Sequence, residues 1–299
     1  MGQAHHHWQA TTSWDAQLAK RLDTVAVAAP LSADIAAQTI GIVRRFGFAI
    51  VRSEPTHLTD SAIAARRLQL LAFSHAMGTP IVQSPRRELV EDIKDFSDVD
   101  ERDDRGYRSA GELKPHSDPP TLIVLHCVQP ARVGGESSLV SVASIVDTMI
   151  ATDPSLVDTL FEPFPDWRID GQHGQPGSGP CAEPRPVLAT HNETLSCVLY
   201  RPFIDLASEA LRTPLDPEQT AALDVFEECS FDPALTLRFF LQPGQTLVLH
   251  NRAVLHARTD YQDWPEFERR RHLLRVWIDA PAAFPVHPIH ALGDFFAPE

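Results

Sequence analysis

The triplet His116-Ser117-Asp118 places an imidazole and a carboxylate at positions i and i+2. In an extended segment such positions point to the same side of the chain, so both groups can occupy neighbouring places on one metal ion. A histidine from a distant strand would complete a face of two nitrogens and one carboxylate. Such a facial triad leaves positions open for an oxidant and a co-substrate, the arrangement of non-haem iron(II) oxygenase centres. By itself the pattern is weak: with 14 histidines and 40 acidic residues, chance supplies roughly two His-x-acid pairs. A second pair, His191-Asn192-Glu193, lies in a polar stretch between two candidate strands, where a hairpin turn would splay the side chains. His116 instead stands just before the apolar run 121–128, at the rim of an expected barrel, where ligands bind. Of the other histidines, His126 lies inside an apolar strand and reads as a satisfied core residue. His250 ends a strand and His272 starts one, whereas His256 falls within a longer signature, LHNRAVLHARTDY (249–261).

The elements that must position these residues follow from pattern. Residues 31–45 read as an amphipathic helix with Ser32 as N-cap and Gly47 beyond its end. GFAIVR (47–52) reads as a short strand, and a second helix is expected from about Thr59 to Ala76, stopped by Gly78 and Pro80. The polar, charged stretch 83–115 reads as a long loop of the functional kind, an active-site lid. From Thr121 onward short apolar runs dominate: 121–128, 137–142 after the Gly134-Gly135 turn, 186–190, 195–200, 235–241, 245–250 after Gly244, and 273–279. A helix of about ten residues follows 142 and another lies near 216–230. Many short strands between Pro/Gly turns, with helices collected towards the N-terminus, predict a mainly β fold with flanking helices, a β-sandwich or barrel. One domain is expected over 1–299, its N-terminal helices (about 15–76) packed on the strand core.

Composition removes several function classes. Apolar residues make up 43% and charged residues 22%, enough for a sizeable core in a globular protein. A formal net charge of −14 argues against a nucleic-acid partner bound through its phosphates. No run approaches the roughly 20 apolar residues of a membrane helix. Met1–Ala10 carries His5-His6-His7 rather than a basic and then apolar segment, so no secretory signal is read there. Cys127, Cys181, Cys197 and Cys229 are scattered without a CxxC spacing and are expected to be free thiols serving as small buried hydrophobes in a cytoplasmic protein.

The stretches PHSDPPTLIVLHC and GGESSLVS within 115–141, then LHNRAVLHARTDY (249–261) and RRRHLLRVWID (269–279), resemble in this order the taurine dioxygenase/TfdA-like family of iron(II)/2-oxoglutarate oxygenases. The resemblance implies a double-stranded β-helix (jelly roll) core and an Fe(II) ion held by His116, Asp118 and His256, the last in the context N-R-x-x-x-H. It also implies 2-oxoglutarate and O2 as co-substrates, a small organic substrate, release of succinate and CO2, and frequent assembly into dimers or tetramers. Arg271 matches the residue that pairs with the distal carboxylate of 2-oxoglutarate, and Ser137 the hydroxyl beside it. The segment between His256 and Arg271 is a few residues longer than in some members, which leaves Arg269 and Arg270 as alternative partners. An arginine suits the role, because its planar fork grips a carboxylate through two parallel bonds. Halogenating relatives lack the metal carboxylate, so Asp118 favours oxygen transfer, desaturation or ring closure. Arg275 lies four residues beyond Arg271 and on a strand shares its face. Unpaired buried charge is costly, so Arg275 is expected to meet an anionic substrate group or the co-substrate's other carboxylate. A lectin-like or cupin-like binding module and a His/Asp/His zinc hydrolase are the competing readings. Neither accounts for the GGES hydroxyl and the basic group 269–275.

Overall fold

Along the strand Leu122–Gln129, Ile123 and Cys127 point to one side and Leu122 and Val124 to the other, and both sides are buried. A strand buried on two faces must lie in the middle of a layered structure. It does so in the computed structural model, which describes Trp14 and residues 25–83, 87–98, 106–168, 179–181 and 183–292. The His5–His7 run and part of the expected lid, 84–86 and 99–105, lie outside the described residues.

Two sheets face each other and form the double-stranded β-helix, or jelly-roll, core. The larger has seven strands, in the order Ala26–Ala28, Phe48–Arg52, Gln245–His250, Leu122–Gln129, His272–Asp279 and Thr79–Ile81, with Glu91–Ile93 also pairing on His272–Asp279. The smaller has four, in the order Thr236–Phe239, Ser137–Ser141, Val254–Arg258 and Leu113–His116. Between the sheets pack Phe48, Ile123, Leu139, Leu237, Leu249, Val254, Leu273 and Trp277. The outer face of the larger sheet carries α1 (Ala33–Phe46) and α2 (Asp60–His75), through Ala36, Val43, Leu70 and Phe73. The outer face of the smaller sheet is covered by α3 (Val142–Thr152), α4 (Pro154–Leu160) and α6 (Pro217–Phe231), with α5 (Arg201–Leu211) lying between them in the chain. The order of layers is therefore helix, sheet, sheet, helix.

The expected caps are present. The Ser32 side chain accepts from the Ile35 amide, and Gly47 ends α1 at φ 79°, a left-handed conformation that costs glycine nothing. Thr59 caps α2. His191 and Thr194 face each other across a hairpin whose turn residues, Asn192 and Glu193, have φ of 48° and 60°. That turn splays the His191/Glu193 pair, as expected of it. Other expectations need correction. The stretch 83–115 is not one loop, because Glu91–Ile93 and Leu113–His116 pair into the two sheets. Helix α5 was not foreseen, and the single helix expected after 142 is two, divided at Asp153, which ends α3 and caps α4.

Candidate metal centre

Two chain crossings build the site. The first leads from Leu113–His116 in the smaller sheet to Leu122–Gln129 in the larger one and carries Asp118. The second leads from Gln245–His250 in the larger sheet to Val254–Arg258 in the smaller one and carries Asn251 and Arg252. The crossings are tied together. The Asn251 side-chain oxygen accepts from the Asp118 amide (3.1 Å), and its nitrogen donates to the carbonyls of Asp118 and Pro120. Arg252 donates to the Asp118 carbonyl (2.7 Å) and to that of Pro119. Ser117 is locked behind them, its amide donating to Leu199 O (2.8 Å) and its hydroxyl accepting from Leu199 N (2.9 Å).

His116 and His256 are cross-strand partners in the smaller sheet, their ring centroids 4.3 Å apart. The pairing is irregular at this point, with three residues from His116 back to Leu113 set against two from His256 to Arg258. Such bulges re-aim side chains, and Pro115 is tolerated because its strand is at the sheet edge. The Nδ1–H of His116 donates to the Lys114 carbonyl (2.7 Å), which leaves its Nε2 lone pair free to point inward. Asp118 stands between the rings, Oδ1 3.6 Å from His116 Nε2 and Oδ2 3.8 Å from His256 Nε2. One donor atom from each of the three residues lies within 4.8 Å of the other two. Burial, with the neighbouring His116, pushes His256 down to about 3, so its imidazole is neutral and able to donate a lone pair. Burial alone would raise Asp118, but Arg275 and then the two histidines outweigh it and hold the carboxyl below the usual range. Two imidazole nitrogens and a carboxylate are a donor set that suits a divalent iron.

The remaining histidines are engaged elsewhere. His126 is fully buried between the hydroxyls of Thr56 (3.0 Å) and Thr246 (2.9 Å), a core residue as its strand position implied. His250 packs on Phe284, and His272 binds Asp92 at 2.6 Å. Among the described residues, only His116, Asp118 and His256 form a group able to hold a metal. Cys127 and Cys197 are buried, Cys181 and Cys229 half-buried, and all four are free thiols.

The basic group 269–275 divides by environment. Arg269 stacks on Trp264 at 3.7 Å, and Arg270 pairs with Asp98 through two bonds of 2.5 and 2.6 Å. Arg271 is buried and lines a cavity of about 290 Å³ together with Ser137, Gly135, Cys127 and Leu273. Its Nη1 has no hydrogen-bond partner, and burial lowers its pKa. The Gly134-Gly135 turn brings Ser137 there. Gly134 has φ 75°, and a Cβ on it would lie 2.5 Å from the Asp260 carbonyl, so only glycine fits. Arg275 projects between the sheets with Leu273 and Trp277, as its spacing required. Its charge is met from within the chain, however: Nη1 is 3.4 Å from Asp118 Oδ2, and Nε donates to Gln83 Oε1 at 2.7 Å. Arg275 therefore has part of its charge met before any substrate or co-substrate anion arrives.

Sequence reasoning gave no role of their own to Asn251, Arg252 and Arg258. Asn251 and Arg252 are the N-R of the N-R-x-x-x-H context, but no local pattern shows that they bind backbone groups across the fold. Arg258 had a signal, since it lies two residues beyond His256 on the same strand and must share its face. It is 5% exposed and donates through Nη2 to the carbonyls of Ser109 (3.1 Å) and Gly111. Burial and then the Arg271 charge push it down to about 10.

Several known proteins are similar to this chain. FR-33289 synthase of Streptomyces rubellomurinus is 28% identical over 278 residues, covering 91% of this chain and 78% of its own. A uridine-5'-phosphate dioxygenase of Amycolatopsis sp is 26% identical over 270 residues, covering 84% and 91%. The crystal structure of the non-haem iron oxygenase OrfP in complex with Fe and alpha-ketoglutaric acid superposes with a TM-score of 0.62 at 16% identity, covering 93% of this chain and 95% of that one, a likeness of fold. The family model described as taurine catabolism dioxygenase TauD, TfdA family, matches residues 9–277, and the chain therefore belongs to the TauD/TfdA family.

Proposed function

We propose that this iron(II)- and 2-oxoglutarate-dependent dioxygenase holds its metal through His116, Asp118 and His256, receives the distal carboxylate of 2-oxoglutarate at Arg271 and Ser137, and presents Arg275 to a small anionic substrate. The observation that carries the reading is the convergence of two imidazoles and one carboxylate within 4.8 Å, on crossings fixed by Asn251 and Arg252. The unfilled Nη1 of buried Arg271, in one cavity with Ser137, supports the co-substrate assignment, since a buried donor without a partner costs stability until an acceptor arrives.

When bound, iron with 2-oxoglutarate and O2 supplies the oxidising power that takes a hydrogen atom from the substrate, with succinate and CO2 as co-products. The chain's own part is position and electrostatics. Lys114 fixes the tautomer of His116, and Arg275 keeps Asp118 ionised and turned inward. Gln83 aligns the Arg275 guanidinium and brings the described start of the 83–115 stretch against the site. An anionic substrate is supported by the cation lying beside the metal-binding carboxylate, and by a phosphate ester in the name of the similar uridine-5'-phosphate dioxygenase.

The test is succinate formation from 2-oxoglutarate in the presence of candidate substrates. It should require added iron(II) and stop with a chelator. Turnover with zinc alone, or without 2-oxoglutarate, would instead favour a hydrolase. For the substrate's charge, Arg275→Gln should lose activity selectively on the acid form of a matched acid and amide pair. Equal loss on both forms would place Arg275 against the co-substrate.

A further inference from the structure

Arg258 is a buried cation that the proposed chemistry has not used. It lies on the same strand as His256 and directly opposite Ser137 on the neighbouring strand, so its side chain and the Ser137 hydroxyl share the inner face of the smaller sheet. From His256 to Arg258 the strand advances by one pleat repeat, about 6.8 Å, comparable to the length of a five-carbon diacid. Across the gap between the sheets, Arg271 occupies the matching end, two residues before Leu273 and four before Arg275. The two guanidiniums converge on one ring, Arg258 at 4.8 Å and Arg271 at 5.3 Å from the Tyr261 centroid.

Their donors are incompletely used. Arg258 spends Nη2 on two carbonyls, but its Nε and Nη1 are buried with no partner, as is Nη1 of Arg271. Asp95 and Asp260 are near enough to favour the charge on Arg258. Among the described residues neither forms an ion pair with it. Two like charges and three buried nitrogens without partners, next to a hydroxyl, are costly unless an anion is delivered between them. A carboxylate offers two oxygens with about four acceptor positions, enough for each of those nitrogens to donate at least once.

We infer that Arg258 is a second co-substrate-binding arginine, acting with Arg271 and Ser137 to grip the distal carboxylate of 2-oxoglutarate. The inference rests on the assignment of Arg271 and Ser137 to that carboxylate and adds a residue to it. Two cations on one carboxylate make the site selective for a 2-oxo diacid over a 2-oxo monoacid of the same length. The carbonyls of Ser109 and Gly111 hold the guanidinium in place before the ligand enters, so little side-chain freedom is lost on binding.

The experiment is anaerobic calorimetric titration of the iron(II)-loaded protein with 2-oxoglutarate and with 2-oxopentanoate, which has the same chain without the distal carboxylate. Wild type, Arg258→Gln, Arg258→Lys and Arg271→Gln are compared. Arg258→Gln should weaken 2-oxoglutarate about 10- to 100-fold, the range of a charge-assisted pair, and leave 2-oxopentanoate within about twofold. Arg258→Lys, which keeps the charge but not the fork, should lie between and serves if the glutamine variant does not fold. Unchanged 2-oxoglutarate affinity in the Arg258 variants, or equal weakening of both ligands, overturns the inference. Arg271→Gln separates the two levels. Loss of diacid preference there but not in Arg258→Gln refutes only the role of Arg258. Retained preference in Arg271→Gln refutes the underlying site.

Discussion

The metal end and the basic end of the site lie in the same gap between the sheets but are prepared differently. At the metal end most polar groups have a partner within the chain, although Nδ1 of His256 is buried without one. Lys114 holds His116, Arg275 faces Asp118, Gln83 holds Arg275, and Asn251 and Arg252 bind the backbone of Asp118. At the basic end Arg258 and Arg271 keep buried donors unfilled. The difference is electrostatic in origin. A metal brings positive charge, so the chain can pre-form its site around a carboxylate already balanced by a cation. A diacid would bring negative charge to a place where Arg258 and Arg271 keep donors unfilled although Asp95, Asp260 and Asp263 are near. Geometry is therefore fixed in advance at the first end, and affinity is held in reserve at the second.

Substitutions can break this contrast. The largest effect is expected from Asp118→Ala, which removes the only carboxylate of the triad: bound iron, measured by metal analysis after gel filtration, and succinate formation should both disappear. Retention of stoichiometric iron would show that another residue completes the site. Arg271→Leu comes next. It should raise the 2-oxoglutarate concentration for half-maximal turnover by about 10- to 100-fold with iron content unchanged, since only the basic end is altered. Asn251→Ala acts on the other end. Loss of an outer hydrogen bond to a metal-bearing segment typically costs about 10- to 100-fold in metal affinity. Iron titrations should show that loss, and saturating iron should restore turnover with the 2-oxoglutarate dependence of wild type. The smallest effect is expected from Arg269→Gln, because exposed Arg269 stacks on half-buried Trp264 rather than lining the cavity. Its 2-oxoglutarate dependence should stay within about twofold of wild type, the usual reach of a surface change. A larger shift would move the co-substrate site along the basic run.

The same contrast separates what was legible in the chain from what was not. Helix starts at Ser32 and Thr59, the stop at Gly47, the Gly134 turn and the His191–Thr194 hairpin depend on contacts a few residues apart, and each carries its own local chemistry. Helix α5 is marked at its start only by Pro202 in the first turn, since Tyr200 makes no side-chain capping bond. The strands Ala26–Ala28, Thr79–Ile81 and Glu91–Ile93 are three residues long, too short to display a period. They exist because a neighbouring strand offers its edge.

The spacing of His116 and Asp118 determined that the two could share a metal, and the order of motifs along the chain pointed to the family before any coordinate was known. The same side-chain alternation put Arg271 and Arg275 on one face. Tertiary structure alone decided that Asp118 would be bound by Asn251 and Arg252, 133 and 134 residues away, and that it would satisfy much of the charge on Arg275. It also set Arg258 beside Ser137 and on the same ring as Arg271. A sequence records which charges a chain carries. Which of them neutralise one another depends on distances across the two sheets, and those are fixed only when the jelly roll closes.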